Sequence, residues 1–299
     1  MLSYRHAFHA GNHADILKHF VLTLILKSLT KKEKPFTIFD THGGAGIYQL
    51  DDPRLLQTEE AKTGILKFLQ FVEQNQNIPT PLIEYIELCK KYSSVGLYPG
   101  SPEIERFFMR SQDKLFVAEL HNTEIKNLKE NLTSPIVNFA HMQNPSITVE
   151  HTNGFEMLYS KLPPLIRRGL IICDPSYETS RDYTDTPLAL EKAMHKWNTG
   201  IIALWYPLLC HRINELNKMK EYLQNALKQA KYSNDNNSFF VEMEVEPIPK
   251  DKEARSGLYG SGMIIINPPY NLQNQIEETL PYISKALSEK DGKWNIHKL

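Results

Sequence analysis

The chain has 299 residues, is 41% hydrophobic and carries a formal net charge of −1. These values fit an ordinary globular protein of one large domain with an insertion, or of two domains, and exclude nucleic-acid binding driven by bulk charge alone. Three widely spaced cysteines, Cys89, Cys173 and Cys210, support neither a zinc site nor a disulfide framework and point to a reducing, cytoplasmic setting.

Positive charge gathers at the start of the chain. Residues 1–34 hold Arg5, Lys18, Lys27, Lys31, Lys32 and Lys34 against Asp15 and Glu33, a local +4. A basic segment suits a phosphate backbone near an active site, but a solvated basic helix end has the same composition. His6, His9, His13 and His19 match no standard metal-ligand spacing, so no metal is expected. The first residues lack the apolar core of a signal peptide, and Phe20–Leu26 is too short to span a bilayer.

Ile16, Leu17, Phe20, Val21, Leu24 and Ile25 recur at helical spacing, which predicts a helix over Ala14–Leu29. Phe36–Phe39 reads as a strand, followed by the glycine-rich turn His42-Gly43-Gly44-Ala45-Gly46. Further strands are predicted at Lys114–Leu120, Ile147–His151, Leu170–Cys173 and Gly200–Trp205, with helical patterns at Asn122–Leu132, Leu188–Trp197 and Arg212–Ala230 between them. Such alternation implies a parallel sheet covered on both faces. Phe239–Pro247 and Gly262–Asn267 lack an intervening helix and predict an antiparallel pair at one edge. From Gly46 to Lys114 the chain shows about three helical patterns, around Glu59–Glu73, Leu82–Tyr92 and Pro102–Arg110, where a crossover needs one. The surplus, residues 50–98, reads as a helical insertion. The remainder, 1–49 and 99–299, would form the main domain.

Ligands of open α/β sheets sit beyond the C-terminal strand ends. Gly43–Gly46 lets backbone approach a ligand, but it is not GxGxxG and lacks the acid ~20 residues on that dinucleotide folds carry. Glu119 ends the next long strand instead and is placed to accept ribose hydroxyls. A glycine turn that need not hold a pyrophosphate favours a nucleoside such as S-adenosylmethionine. Asn153-Gly154 is placed near the adenine, though the pair is also a common turn. Ser101-Pro102 reads as an N-cap with proline at the first helical position.

Asp174-Pro175-Ser176-Tyr177 follows the buried strand Gly169–Cys173. The Asp174 carboxylate and the Pro175 carbonyl form a pair of acceptors, and the Tyr177 ring offers a face for stacking. Together they suit the exocyclic amine of a planar base. A strand ending in an Asp-Pro turn has the same residues. A second such motif, Asn267-Pro268-Pro269-Tyr270, is set aside because it ends the last, antiparallel strand.

With these elements in place, the chain resembles the 23S ribosomal RNA adenine-N6 methyltransferase J family across almost its whole length. The resemblance rests on Leu2-Ser-Tyr-Arg-His-Ala-Phe-His-Ala-Gly-Asn-His-Ala-Asp15, Lys18-His19, Asp40-Thr-His-Gly-Gly-Ala-Gly-Ile-Tyr48, Tyr98-Pro-Gly-Ser-Pro102 and Asp174-Pro-Ser-Tyr-Glu178. It implies a class I, Rossmann-like methyltransferase with a mostly parallel seven-stranded sheet, an antiparallel C-terminal edge and an inserted helical subdomain. By position, it implies cofactor contacts at His19, His42, Ser101, Glu119, Asn153, Gly154 and Asp174. Asp174 would be the catalytic acceptor, with Tyr4, His6, Lys18, Pro175 and Tyr177 on the substrate side. Tyr4 would stack on or cap the target base, and Lys18 would meet a phosphate. Two departures from the family pattern stand out: Ser176 replaces the usual second proline, and Asn153 the usual aspartate. The implied reaction methylates N6 of one adenine in 23S ribosomal RNA by a cytoplasmic monomer. An amine methyltransferase of DNA or of a protein amide, and a non-catalytic RNA-binding protein on the same fold, are the competing readings.

Overall fold

A computed structural model describes residues 6–133, 137, 139–229, 237–249, 257–288 and 292–299. The strands are β1 (Thr37–Asp40), β2 (Ile47–Gln49), β3 (Leu97–Pro99), β4 (Lys114–Ala118), β5 (Ser146–Glu150), β6 (Gly169–Cys173), β7 (Ile201–Leu208), β8 (Phe239–Glu244), β9 (Gly260–Ile266) and β10 (Lys293–Lys298). The α-helices are α1 (His13–Thr30), α2 (Pro53–Thr58), α3 (Lys67–Gln74), α4 (Ile83–Ser93), α5 (Ser101–Phe108), α6 (Glu124–Thr133), α7 (Gly154–Lys161), α8 (Asp182–Lys196), α9 (Ile213–Gln229) and α10 (Leu272–Leu287).

Eight strands form the main sheet in the order β10-β8-β9-β7-β6-β1-β4-β5. β5, β4, β1, β6 and β7 run parallel, whereas β9 pairs antiparallel with both β7 and β8. The seven expected strands are therefore present. An eighth, β10, lies antiparallel along β8, from Lys293↔Glu244 to Lys298↔Phe239. Its residues Lys-Trp-Asn-Ile-His-Lys alternate apolar with polar, but the segment is short and charged, and the sequence reading passed over it.

The chain reverses strand order at β1, between β6 and β4. A crevice opens there beyond the C-terminal strand ends, the usual ligand position in such sheets. β2 and β3 form a separate ribbon, Ile47↔Pro99 to Gln49↔Leu97, at the two ends of the 50–98 segment. That segment has no core of its own. Its buried Leu55, Ile65, Phe68, Tyr85 and Leu88 belong to the same apolar cluster as Leu17, Phe20 and Leu24 of α1 and Ile276 and Ile283 of α10.

α1 departs from its expected character. Its spacing predicts an amphipathic helix, yet fourteen of its eighteen residues are buried, Asp15, Lys18 and His19 among them. Neighbours cover it from residues 50–98, β9, α5 and α10. A helix apolar nearly all round is a core element, and here its buried Asp15, Lys18 and His19 lie together on one side. Among the described residues no helix is long and apolar enough to cross a membrane.

Candidate active site

The crevice is a cavity of about 200 Å³, lined by the ends of β1, β4 and β6 and by α1. β6 ends in the run Leu170–Cys173, fully buried by apolar neighbours, and delivers Asp174 to the edge of the core. α1 supplies Lys18, whose Nζ lies 2.5 Å from Asp174 Oδ2 and 2.8 Å from Asp15 Oδ1. Burial disfavours the Lys18 charge, but Asp15 and Asp174 overcome it and hold the ammonium above its ordinary pKa. His6 Nε2 bonds the other oxygen of Asp15 at 2.9 Å, and Gly11 N–H donates to that same oxygen. Full burial would raise the Asp15 carboxyl, but the adjoining His6 and the Lys18 ammonium keep it well below the usual carboxylate range.

His19 is buried, with Nδ1 2.8 Å from the Tyr98 hydroxyl; Nε2 has no hydrogen-bond partner. Burial lowers its pKa to about 3, so the ring is neutral at physiological pH. His42 is likewise lowered to about 4 by burial and lies 2.8 Å from Thr41 Oγ1.

Gly44 has φ +57°, and a Cβ there would lie 2.3 Å from the Tyr48 hydroxyl. Its N–H donates to Glu119 Oε2 at 2.8 Å, while His121 N–H donates to Oε1 at 2.6 Å. Both Glu119 oxygens are thus fixed and retain acceptor capacity. Burial raises the Glu119 carboxyl above its ordinary range. Asn153 caps α7, accepting from Phe155 N–H at 2.8 Å. At Gly154 a Cβ would meet the Thr41 carbonyl at 2.1 Å, so only glycine fits.

His6, Lys18, His19, His42, Ser101, Glu119, Asn153, Gly154, Asp174 and Pro175 all line this one cavity. Three expectations change. Lys18 does not meet a phosphate: its side chain is 5% exposed and committed to Asp15 and Asp174. Tyr177 does not face the cavity. Its ring packs on Tyr183 and Trp205, and its hydroxyl donates to the Trp205 carbonyl. Ser101 is not an N-cap. Gly100 holds that position, Ser101 is the first helical residue, and its hydroxyl donates to Asp40 Oδ2 at 2.7 Å. Tyr4 lies outside the described residues.

The basic charge of the N-terminal segment is also displaced. Lys31, Lys32 and Lys34 follow the far end of α1, roughly 20 Å from Lys18 at 1.5 Å per residue. The second motif, Asn267-Pro268-Pro269-Tyr270, is remote from the cavity. β9 is antiparallel, so Ile266 pairs with Ile202 at the beginning of β7, and Tyr270 is fully exposed.

Asp40 is a residue the sequence reading left without a role. It is fully buried, accepts from Ser101 Oγ and His42 N–H, and burial raises its pKa to about 7. Its signal was an acid at the end of β1, directly before the glycine turn.

Five carboxylates (Glu119, Glu124, Asp174, Asp182 and Asp185) and one ammonium, Lys18, line the cavity. Such a wall favours a cationic ligand and repels phosphate. Strand order, glycine turn, strand-end Glu119 and strand-end Asp174 together define a class I S-adenosylmethionine-dependent methyltransferase. The model of the family described as "Ribosomal RNA large subunit methyltransferase D, RlmJ" matches residues 33–299, and the chain belongs to that family. It is 37% identical over 290 residues to ribosomal RNA large subunit methyltransferase J of Escherichia coli, covering 96% of this chain and 94% of the relative. The protein of the same name from Haemophilus influenzae is 36% identical over 301 residues, covering 99% and 98%. A crystal structure of a Legionella pneumophila protein superimposes with TM-score 0.82 at 33% identity, covering 97% of this chain and 98% of the other.

Proposed function

We propose that this protein transfers a methyl group from S-adenosylmethionine to the exocyclic N6 amine of one adenine in 23S ribosomal RNA. The reading rests above all on Asp174-Pro175 at the end of β6, where Lys18 holds Asp174 against the wall of a cavity that also carries Glu119 and the glycine turn.

The bound cofactor supplies an electrophilic methyl group on a sulfonium. The residues of the cavity fit such a molecule. Glu119, fixed by two backbone donors, would accept the ribose hydroxyls, and Asn153 and Gly154 would border the adenine. His19, with its unpartnered Nε2, His42 and Ser101 would meet the remainder. The acidic wall attracts the positive charge.

Asp174 and the Pro175 carbonyl would each accept one N–H of the target amine. An adenine amine is a weak nucleophile because its lone pair is delocalised into the ring. Holding both N–H bonds directs that lone pair at the methyl group, and alignment of this kind supplies much of the rate. Lys18 takes Oδ2 of Asp174, which leaves Oδ1 for the substrate. The base must leave its stack to reach the cavity. Tyr177 would act from behind as packing for the Pro175 loop. Tyr4 and His6 would stand on the RNA side, and Ser176 leaves the Pro175 carbonyl in place. Residues 50–98 would serve as an inserted helical subdomain bracing α1 and the segment before it. A monomer in the cytoplasm fits this reading.

Mass-spectrometric mapping of 23S ribosomal RNA from a deletion strain tests it. One N6-methyladenine should vanish, return with the wild-type gene and stay absent with Asp174→Ala. Tritium transfer into DNA or protein, with none into RNA, would overturn the choice of substrate.

A further inference from the structure

The cavity is unsuited to a phosphate backbone: acids line it, and its ammonium, Lys18, is committed to Asp15 and Asp174. An RNA substrate needs cations elsewhere. The fold gathers them at the opposite edge of the sheet, where β1, β4 and β6 begin. Lys31, Lys32 and Lys34 are exposed there around one acid, Glu33, and among the described residues none of the three is in a salt bridge. Two arginines fix this loop. Arg110 donates to the carbonyls of Lys32 and Lys34, at 2.9 and 3.2 Å. Arg168 donates to the same Lys34 carbonyl at 2.9 Å and to that of Leu29. Both guanidinium groups also lie over the Phe36 ring, 5.5 and 5.9 Å from its centre. Asp113 pairs with Arg110 at 3.0 Å, but Arg168 is in no salt bridge. A solvated helix end needs no such clamp, and like charges gathered this closely are unfavourable until an anion meets them.

A groove of about 400 Å³ adjoins the loop at Thr30 and Arg110. Phe107, Phe108, His141 and Lys91 line it. The Phe107 ring meets the exposed His141 edge-on at 4.4 Å, and Lys91 Nζ lies over Phe107 at 5.4 Å. Its acids, Glu84 and Glu87, stand on α4, and Glu84 is paired with Lys27 at 2.7 Å. Cations beside aromatic side chains suit a single RNA strand, with phosphates on the first and a splayed base on the second. An acidic protein would use only the cations. From Arg168 to Asp174 the chain runs the length of β6, roughly 20 Å at about 3.3 Å per residue. We propose that Lys31, Lys32, Lys34 and this groove form a second docking surface for the ribosomal RNA substrate, one that holds an unpaired strand remote from the target adenine. The inference rests on the RNA substrate read above.

Binding and turnover of the full chain, measured with two RNAs, test it. One is protein-free 23S ribosomal RNA from a deletion strain, and the other a hairpin of a few base pairs around the target adenine. Lys31→Gln/Lys32→Gln/Lys34→Gln leaves the carbonyls held by both arginines in place. It should weaken binding of 23S RNA by about tenfold or more and flatten the salt slope by about two, at roughly 0.7 per phosphate of single strand. KM for 23S RNA should rise with it, while kcat, turnover of the hairpin and affinity for S-adenosylhomocysteine stay unchanged. Burial holds the His141 pKa below its ordinary value, so at pH 8 the ring is neutral. His141→Ala should there weaken 23S RNA binding by about fivefold, the loss of one stacked base, and keep the wild-type salt slope. A triple variant that binds 23S RNA like wild type, or that loses the same factor on the hairpin, would overturn the inference. So would wild-type protein that binds polyglutamate as tightly as 23S RNA and loses both equally on substitution. Wild type that neither binds nor methylates 23S RNA would overturn the substrate reading itself.

Discussion

Lys18 and Asp174 lie 156 residues apart in the chain and 2.5 Å apart in space. This ion pair couples the first helix to the end of the strand that carries the chemistry. Because Lys18 also holds Asp15, it bridges two acids with one charge.

Lys18→Met should therefore act on stability and chemistry together. Removing one partner of a buried pair costs about 3–5 kcal/mol. Turnover should fall by at least two orders of magnitude. The salt dependence of RNA binding should stay at the wild-type slope, since the ammonium is not at the surface. A slope flatter by about one phosphate would return Lys18 to the RNA-binding role read from sequence.

Glu119→Ala should weaken S-adenosylhomocysteine binding by about 1.5–3 kcal/mol, the range for hydrogen bonds to a charged group. It should also free the Gly44 and His121 N–H groups. A dissociation constant equal to that of wild type would refute the assignment.

At Gly44, substitution by alanine meets two obstacles: a φ of +57° and a Tyr48 hydroxyl 2.3 Å from the new Cβ. Left-handed backbone alone costs a β-carbon residue about 1 kcal/mol. Gly44→Ala should lose stability and cofactor binding, and Gly44→Ala/Tyr48→Phe should regain part of both. Thermal melts of the two proteins with and without S-adenosylhomocysteine measure the recovery. Additive single-site effects would show that the clash is not the cause.

Asp40 predicts a pH effect with a definite sign. Its folded pKa of about 7 lies above the ordinary 3.8, so the folded state keeps a proton that the unfolded state has lost between those values. Wild type therefore loses stability from this group as pH rises from about 4 to 7. Asp40→Asn lacks this loss, so its stability relative to wild type should climb across the same window and level off above it. Denaturant melts at four or five pH values measure the difference, and a flat difference would mean the carboxyl ionises normally.

The alternation of strand and helix was legible because buried parallel strands are short, continuous apolar runs and their crossovers carry helical spacing. The seven expected strands of the main sheet follow from that. So do the strand-end acids Glu119 and Asp174, since a polar residue closing an apolar run must sit at the edge of the core. What stayed hidden depends on partners distant in sequence. Nothing local shows that Lys18 meets Asp174 and not solvent, that Tyr177 turns toward Trp205, or that the Ser101 hydroxyl reaches back to Asp40 instead of capping its own helix. β10 was hidden for the same reason. Six residues with a lysine at each end make a strand only because the edge of β8 is there to receive them.

The contacts that define the cavity span long stretches of chain: Lys18 to Asp174, His19 to Tyr98 and Gly44 to Glu119, the last two over 79 and 75 residues. No fragment of the polypeptide contains the pocket. Its walls meet only after non-local closure, the slow part of folding for a topology of this kind. Ligand affinity and global unfolding are then linked quantities. A ligand at 100 times its dissociation constant should raise the unfolding free energy by about 2.7 kcal/mol, and a substitution far from the cavity should register as weaker apparent binding once it leaves a sizeable fraction of the chain unfolded.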